Sequence, residues 1–325
     1  MNKLVSDEEF IDTWMRLQSG SLVAKELNLK VRSVLQRRRN IEKTYKILLP
    51  VATSSNNGVV QPASIKMVMS ERRDVNRLEI QNGSIIVGSD AHYSPGHISV
   101  AHRALCAVAA EISPVAVILN GDILDGGSIG RHSRQGWKKP PTVKQELEAV
   151  MDRLHEIEQA ARGAKLMRTY GNHCMRFDAK LANLVPEYEG VPGMLLRDHI
   201  PGWKDSERID INEDTVVIHD WHYGLHSGWN DVLKGGCNVI TGHTHELSAK
   251  AHKGFKNTHY GIKTGMLADE YQSEFDYRLS KPGFNWQSGF VVLTWVNGML
   301  LYPEFCAVRD DNNAYFRGKL VLSSR

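Results

Sequence analysis

Cysteine is scarce in this sequence. Cys106, Cys174, Cys237 and Cys306 are its only four, and no two form a C-x-x-C pair. That excludes a disulfide-framed small domain and a zinc ribbon, and it fits reduced thiols. Long apolar runs are missing too. The longest, such as residues 290–296, fall far short of the roughly 18 residues that a membrane-spanning helix needs, so no membrane partner is expected. Residues 1–10 lack the apolar core of a secretory signal, and a cytoplasmic location is expected. There is no internal repeat and no low-complexity tract. Neither sign of charge dominates: 40 Lys and Arg meet 37 Asp and Glu in 325 residues, for a net charge of +3. Disordered, collagen-like and coiled-coil compositions are excluded. What remains is a globular chain long enough for one large domain or two ordinary ones.

The near-neutral total hides an asymmetry. Residues 1–80 hold 14 Lys and Arg against 9 Asp and Glu, and the remainder holds 26 against 28. The excess of positive charge therefore lies wholly in the first quarter. That quarter reads as helical. Ser6 followed by Asp7-Glu8-Glu9 is a capping-box start, and Phe10, Trp14 and Leu17 share one helical face. Ala24, Asn28 and Val34 then have the offsets of a helix-turn-helix: a small residue for close approach, a residue that tolerates a left-handed turn, and an apolar anchor. In such a module the second helix, here about residues 31–40, enters the major groove of DNA. Arg32, Ser33 and Gln36 would lie near its exposed start, with Arg37, Arg38 and Arg39 contacting phosphates. DNA is thus the expected partner. A small helical docking or oligomerisation element is the other reading, and a homo-oligomer would strengthen binding by a module of this size.

The expected organisation is a helix-turn-helix module over residues 1–48, a linker rich in Pro, Ser, Asn and Gly over 49–76, and a catalytic domain over 77–325. In that last part strands and helices alternate. Strands are expected at 115–119, 165–169, 215–218 and 239–241, with a helix at 142–162. Hairpins are expected around Asn82-Gly83 and Asn297-Gly298. Residues 126–141 read as a long loop, a common location for function.

Five short motifs sit at the ends of strands, in order. They are D-x-H (Asp90, His92), G-D-x-x-D (Asp122, Asp125), G-N-H (Asn172, His173), a single His219, and G-H-x-H (His243, His245). Singly, a D-x-H or a histidine at a strand end is common. In order, each after an apolar strand, the five gather carboxylates, an amide and imidazoles without a thiolate. Such an oxygen and nitrogen set suits manganese, iron or zinc. Alternate residues of an extended chain point to one side, so D-x-H and H-x-H can each present two ligands to one ion. His219 directly follows its strand and is the preferred fourth-motif residue; His222 is the alternative. His222 and His226 either touch substrate or cap their loop.

Over about residues 84–305 this set resembles the calcineurin-like metallophosphoesterase superfamily. The resemblance implies an α/β fold: a two-sheet β-sandwich flanked by helices, with a dinuclear metal site at one end. It implies two divalent ions, manganese expected and iron or zinc the alternatives. Asp90, His92 and His245 would hold one ion, and Asn172, His219 and His243 the other, with Asp122 bridging. His173 would face the scissile phosphate and Asp125 would orient it. Two ions can share a hydroxide and a phosphate oxygen, which makes a nucleophile at neutral pH, and an imidazole titrates in the right range to assist the leaving oxygen. The expected reaction is phosphodiester cleavage in DNA, as in the superfamily's repair nucleases. A phosphatase or phosphodiesterase for a small nucleotide or a phosphoprotein is the alternative. A helix-turn-helix joined to such a domain resembles bacteriophage-encoded members, which would act in the host cytoplasm. Cys174 stands where the third motif usually has an acidic residue, and a thiol there would make activity oxidation-sensitive. Arg131 and His132, in the long loop after Asp122, are candidate substrate contacts.

Overall fold

The computed structural model describes residues 5–50, 75–130, 137, 139–272, 275, 284–309 and 313–322. The chain divides into two compact units, Met1–Met69 and Ser70–Arg325. No described helix is long and apolar enough to cross a membrane.

The first unit is helical. Helix α1 (Asp7–Leu17) begins as expected, with the Ser6 hydroxyl accepting from the Glu9 N–H at 3.1 Å and three acidic residues at the positive helix end. Helices α2 (Gly20–Glu26) and α3 (Val31–Tyr45) follow. Between them Asn28 takes the left-handed conformation, φ 52°. Phe10, Trp14, Val23, Ala24, Val34, Ile41 and Leu49 bury one another. Leu49 thus belongs to this core although the composition assigns it to the linker. Residues 51–74 of that stretch lie outside the described residues.

The second unit is built on two sheets. Strand β1 (Val75–Leu78) starts it, two residues ahead of the expected boundary. Then come β2 (Gly83–Gly88), α4 (Val100–Ile112), β3 (Ala116–Asn120), α5 (Val143–Ala160), β4 (Lys165–Thr169), α6 (Met175–Leu184), β5 (Lys204–Ser206), β6 (Arg208–Ile211), β7 (Thr215–Ile218), α7 (Ser227–Gly235), β8 (Asn238–Thr241), β9 (Leu247–Lys253) and β10 (Thr258–Thr264). The end is β11 (Gly289–Val296), β12 (Met299–Leu300), β13 (Glu304–Val308), β14 (Ala314–Phe316) and β15 (Lys319–Leu322). One sheet runs β1-β6-β7-β8-β10-β9; the other runs β15-β14-β13-β11-β2-β3-β4-β5, with β12 beside β11. In the second, β2, β3, β4 and β5 are parallel neighbours; in the first, β7, β8 and β10 are.

The strands between layers are buried on both faces, which explains their continuous apolar runs. Ile85, Val87, Ile118, Val217, Ile240 and Val291 pack in the core between the sheets. Ile86, Val117 and Leu119 point the other way, toward α4 and α5. Helix α5 begins close to its expected start, at a capping box closed by Thr142 and Gln145.

One local expectation fails. Asn82-Gly83 does not close a hairpin, because β1 and β2 belong to different sheets: β1 pairs with β6, and β2 lies between β3 and β11. The turn residues instead carry the chain from one sheet to the other, and Asn82 Oδ1 accepts from the Asn297 N–H at 3.0 Å. Burying both faces of β2 outweighs the local turn preference. The Asn297-Gly298 hairpin does form, with Trp295 opposite Leu300.

Candidate metal centre

All five motifs leave the carboxyl ends of parallel strands: β2, β3 and β4 from one sheet, β7 and β8 from the other. Backbone hydrogen bonds carry the pairing on into the loops. Asp90 N–H donates to Gly121 O at 3.2 Å, His92 N–H to Asp122 O at 2.9 Å, and Gly242 N–H to His219 O at 2.9 Å. The two sheets are joined by the His243 N–H, which donates to Asp90 Oδ2 at 2.8 Å.

Three groups of ligand-type atoms converge: Asp90, His92 and His245; Asp122, His219 and His243; and His92, Asp125 and His173. Within each group the atoms lie within 4.8 Å of one another. The third motif's amide joins the second group, with Asn172 Oδ1 2.8 Å from His243 Nδ1 and 3.3 Å from His219 Nε2. Asp122 Oδ2 is 3.2 Å from His219 Nε2. The other Asp122 oxygen accepts from the backbone N–H groups of His173 and Cys174, at 2.8 and 3.4 Å, where α6 begins.

His219 and His222 differ in their partners. His219 Nδ1 donates to Asn120 O at 2.7 Å, which leaves Nε2 facing Asp122. His222 Nδ1 instead meets Asp231 Oδ1 at 2.8 Å, and Asp231 Oδ2 pairs with buried Lys263 at 2.9 Å. His226 caps α7 without a side-chain hydrogen bond.

The backbone is strained to aim these side chains. Asp90, His92, Asp122, His243 and His245 all have positive φ, between 41° and 62°. For side chains other than glycine that conformation is uncommon and clusters at functional sites. The glycine ahead of three ligands is a steric requirement. A Cβ on Gly121 would overlap the His219 ring, one on Gly171 would overlap Asp122, and one on Gly242 would press on Ser89 and Asp90.

The residues fit divalent cations. Asp90 Oδ1, His92 Nε2 and His245 Nδ1 are buried without a hydrogen-bond partner, a cost of roughly 1–3 kcal/mol each in an unliganded site. His92 Nδ1 lies 3.1 Å from Asp125 Oδ1, so its Nε2 lone pair is directed at Asp90 and His245. A histidine ligand held through its other nitrogen is the usual outer arrangement of a metal site.

Charge points the same way. Burial pushes the Asp90 carboxyl up, but His245 and His219 outweigh it and hold the group at about 2. Asp122 is likewise held well below the carboxylate range, against burial, by His219. Asp125 is held low, against burial, by His173 and His92. Burial lowers His219, but Asp122 and Asp90 outweigh it and raise it to about 10. His92 is also raised, by Asp125 against burial. Burial leads in lowering both His243 and His245. The three buried carboxylates thus favour their ionised forms, and His219 offers them a countercharge that cations can replace.

No protein-family model matches the chain, and no curated protein matches it. Solved structures show a distant likeness to it. An archaeal phosphodiesterase is 16% identical, with 69% of this chain and 99% of that chain covered at a TM-score of 0.35. Vps29 from Entamoeba histolytica, complexed with zinc, is 14% identical over 74% and 99%, at 0.38. The Pseudomonas putida nuclease MPE is 13% identical over 67% and 86%, at 0.28.

His173 and Asp125 lie together beside the ligands. His173 Nδ1 is 3.0 Å from Asp125 Oδ1, the oxygen that also meets His92. The role of Asp125 toward His92 was not legible in the motif. Neither were Asn120, whose carbonyl orients His219, nor Ser89, whose hydroxyl donates to Asp90 Oδ2. Arg176 was missed as well. It follows His173 by three residues at the start of α6, a spacing that places both on one helical face. Cys174 corrects an expectation. It is buried, and burial pushes its thiol to about 11, so it is not a reactive thiol. Arg131 and His132 lie outside the described residues. In the first unit, Arg32, Ser33, Gln36 and Arg39 are exposed on α3. Arg37 and Arg38 are half-buried and engaged within the unit. Arg37 donates to Asp7 Oδ1 and Val5 O, each at 2.7 Å, and Arg38 donates to Glu42 at 2.9 Å while lying over the Trp14 ring.

Proposed function

We propose that the chain is a two-metal phosphoester hydrolase of the calcineurin-like class, and that it acts as a phosphodiesterase on DNA. The observation that carries the hydrolase reading is the pair of neighbouring ligand clusters, linked where His219 Nε2 lies 3.2 Å from Asp122 Oδ2 and 4.0 Å from Asp90 Oδ1, with His173 held beside them by Asp125. Asp90, His92 and His245 would hold one ion and Asn172, His219 and His243 the other, with Asp122 as the shared ligand. Bound divalent ions, manganese first and iron or zinc next, supply Lewis acidity toward phosphate oxygens and activate water. The chain's own part is to fix those ligands, to exclude water with the buried walls, and to place His173 Nε2 near the leaving oxygen.

The basic first unit supports the choice of DNA. Arg32, Ser33, Gln36 and Arg39 present an exposed polar and cationic face on α3, suited to a groove and its phosphates. The chain would then resemble bacteriophage-encoded enzymes working in a host cytoplasm. A second reading, hydrolysis of a small nucleotide or phosphoprotein ester with the first unit as a docking or oligomerisation element, is favoured by one observation: Arg37 and Arg38 are spent inside the unit.

The test is an assay of purified protein with Mn²⁺ on labelled single- and double-stranded DNA and on small mono- and diesters, with Asp122→Asn as the control. DNA cleavage abolished by the substitution is expected. Turnover of a monoester with DNA left intact would overturn the nuclease reading, and failure to bind any divalent metal would overturn the hydrolase reading.

A further inference from the structure

Arg176 stands in the site with no role in holding a metal. Its Nη1 donates to Asp125 O at 2.8 Å and its Nη2 donates to His173 Nε2 at 3.0 Å. A guanidinium has five N–H donors and no acceptor, so the His173 ring must accept at Nε2 and carry its proton on Nδ1, toward Asp125 Oδ1. Among the described residues, two of the five donors are thereby used. Among the described residues no carboxylate lies within ion-pair distance of Arg176, whereas Arg168, Arg208 and Arg317 in the same unit each have one. A half-buried cation without a counter-anion, hydrogen-bonded to a neutral ring nitrogen, is poorly satisfied. Its tether to a backbone carbonyl fixes the fork beside His173 whether or not anything else is bound.

We propose that Arg176 binds the phosphoryl group of the substrate. A phosphate oxygen would replace His173 Nε2 as the acceptor for Nη2, while Nη1 stays on Asp125 O. The exchange gives the guanidinium its missing anion and frees Nε2 to face the leaving oxygen. Planar, forked donors suit a phosphate better than an ammonium does, so lysine should replace arginine only in part. The assignment rests on the phosphoester hydrolase reading and adds to it the residue that grips the anion.

The experiment compares wild type, Arg176→Ala and Arg176→Lys, each loaded with Mn²⁺. Bis(p-nitrophenyl) phosphate turnover gives kcat and KM, and inorganic phosphate is used both as a competitive inhibitor and as a calorimetric ligand. Loss of one charge-assisted contact should raise KM and weaken phosphate binding together by roughly tenfold or more in Arg176→Ala. Arg176→Lys should fall between, and Mn²⁺ affinity should be unchanged in both. A fall in kcat alone, with KM and phosphate affinity as in wild type, would overturn the proposal and make Arg176 a positioning residue for His173. If Arg176→Ala does not fold, Arg176→Lys decides on the same readouts. Phosphate binding that depends on Arg176 without ester turnover would leave the anion site standing and overturn the hydrolase reading. A wild type that binds no phosphate would overturn the Arg176 proposal.

Discussion

Asp125 holds two imidazoles with one oxygen. Its Oδ1 lies 3.1 Å from His92 Nδ1 and 3.0 Å from His173 Nδ1, so it orients a ligand and the proposed leaving-group histidine together. Asp125→Ala should therefore weaken Mn²⁺ binding as well as turnover, each by roughly 10–100-fold, as read by calorimetric titration and by ester hydrolysis. Turnover lost with metal affinity intact would mean that the His92 contact is dispensable. His219 gives a pH prediction. Its pKa is raised from 6.5 to about 10 in the metal-free protein, so between those values the folded state holds a proton that the unfolded state has lost. That contribution to stability is complete below 6.5 and disappears as pH rises through 10. Metal-free protein should thus lose stability from pH 7 to 10. Mn²⁺ binding at pH 8 should release a proton, seen as a binding enthalpy that varies with the ionisation enthalpy of the buffer; a buffer-independent enthalpy would contradict the raised pKa. At this scale the sequence displayed the ligands, because Asp, Asn and His at strand ends are chemically conspicuous. It did not display their supports. Asn120 acts through a backbone carbonyl, and Asp231 engages His222 by a contact with no local signature.

The elements were legible where one strand's own residues decide its fate. The runs at 165–169 and 215–218 are strands over those bounds, each built around a short apolar centre, Leu166-Met167 and Val216-Val217-Ile218. The pairing of β1 and β2 was not legible: their partners lie more than 30 residues away, and the turn signal at Asn82-Gly83 speaks only for its neighbours. A similar non-local contact sets α7. Gly228 and Gly261 bring this helix and β10 so close that a Cβ on Gly261 would overlap the Gly228 carbonyl. Because the obstacle is backbone, the helix itself must shift. Gly261→Ala should cost about 1–3 kcal/mol, read as a lowered urea midpoint; an unchanged midpoint would mean that α7 yields freely.

At the scale of the whole molecule, each of the two units has its own core. The charge asymmetry of the sequence maps onto this division. Deleting residues 1–69 should abolish salt-dependent DNA binding, measured as the slope of log affinity against log salt, and should leave turnover of a small diester within about twofold of the full chain. Loss of both together would mean that the first unit is needed to complete the catalytic fold. The two-sheet plan was implied by the family resemblance, and the gathering of the five motifs was foreseeable because parallel strands send their carboxyl-end loops to a common crevice.

The three motif glycines have a consequence for descent. Gly121 abuts His219, Gly171 abuts Asp122 and Gly242 abuts Asp90, so each motif is locked to a ligand supplied by another. One methyl group at any of these positions would displace a ligand elsewhere, and no compensating change nearby restores it. Such a site is easy to lose by drift and hard to rebuild piecemeal. A lineage with no use for it would shed it at the first of many small substitutions. The five motifs therefore stand or fall as one set, because the space each needs is bounded by another.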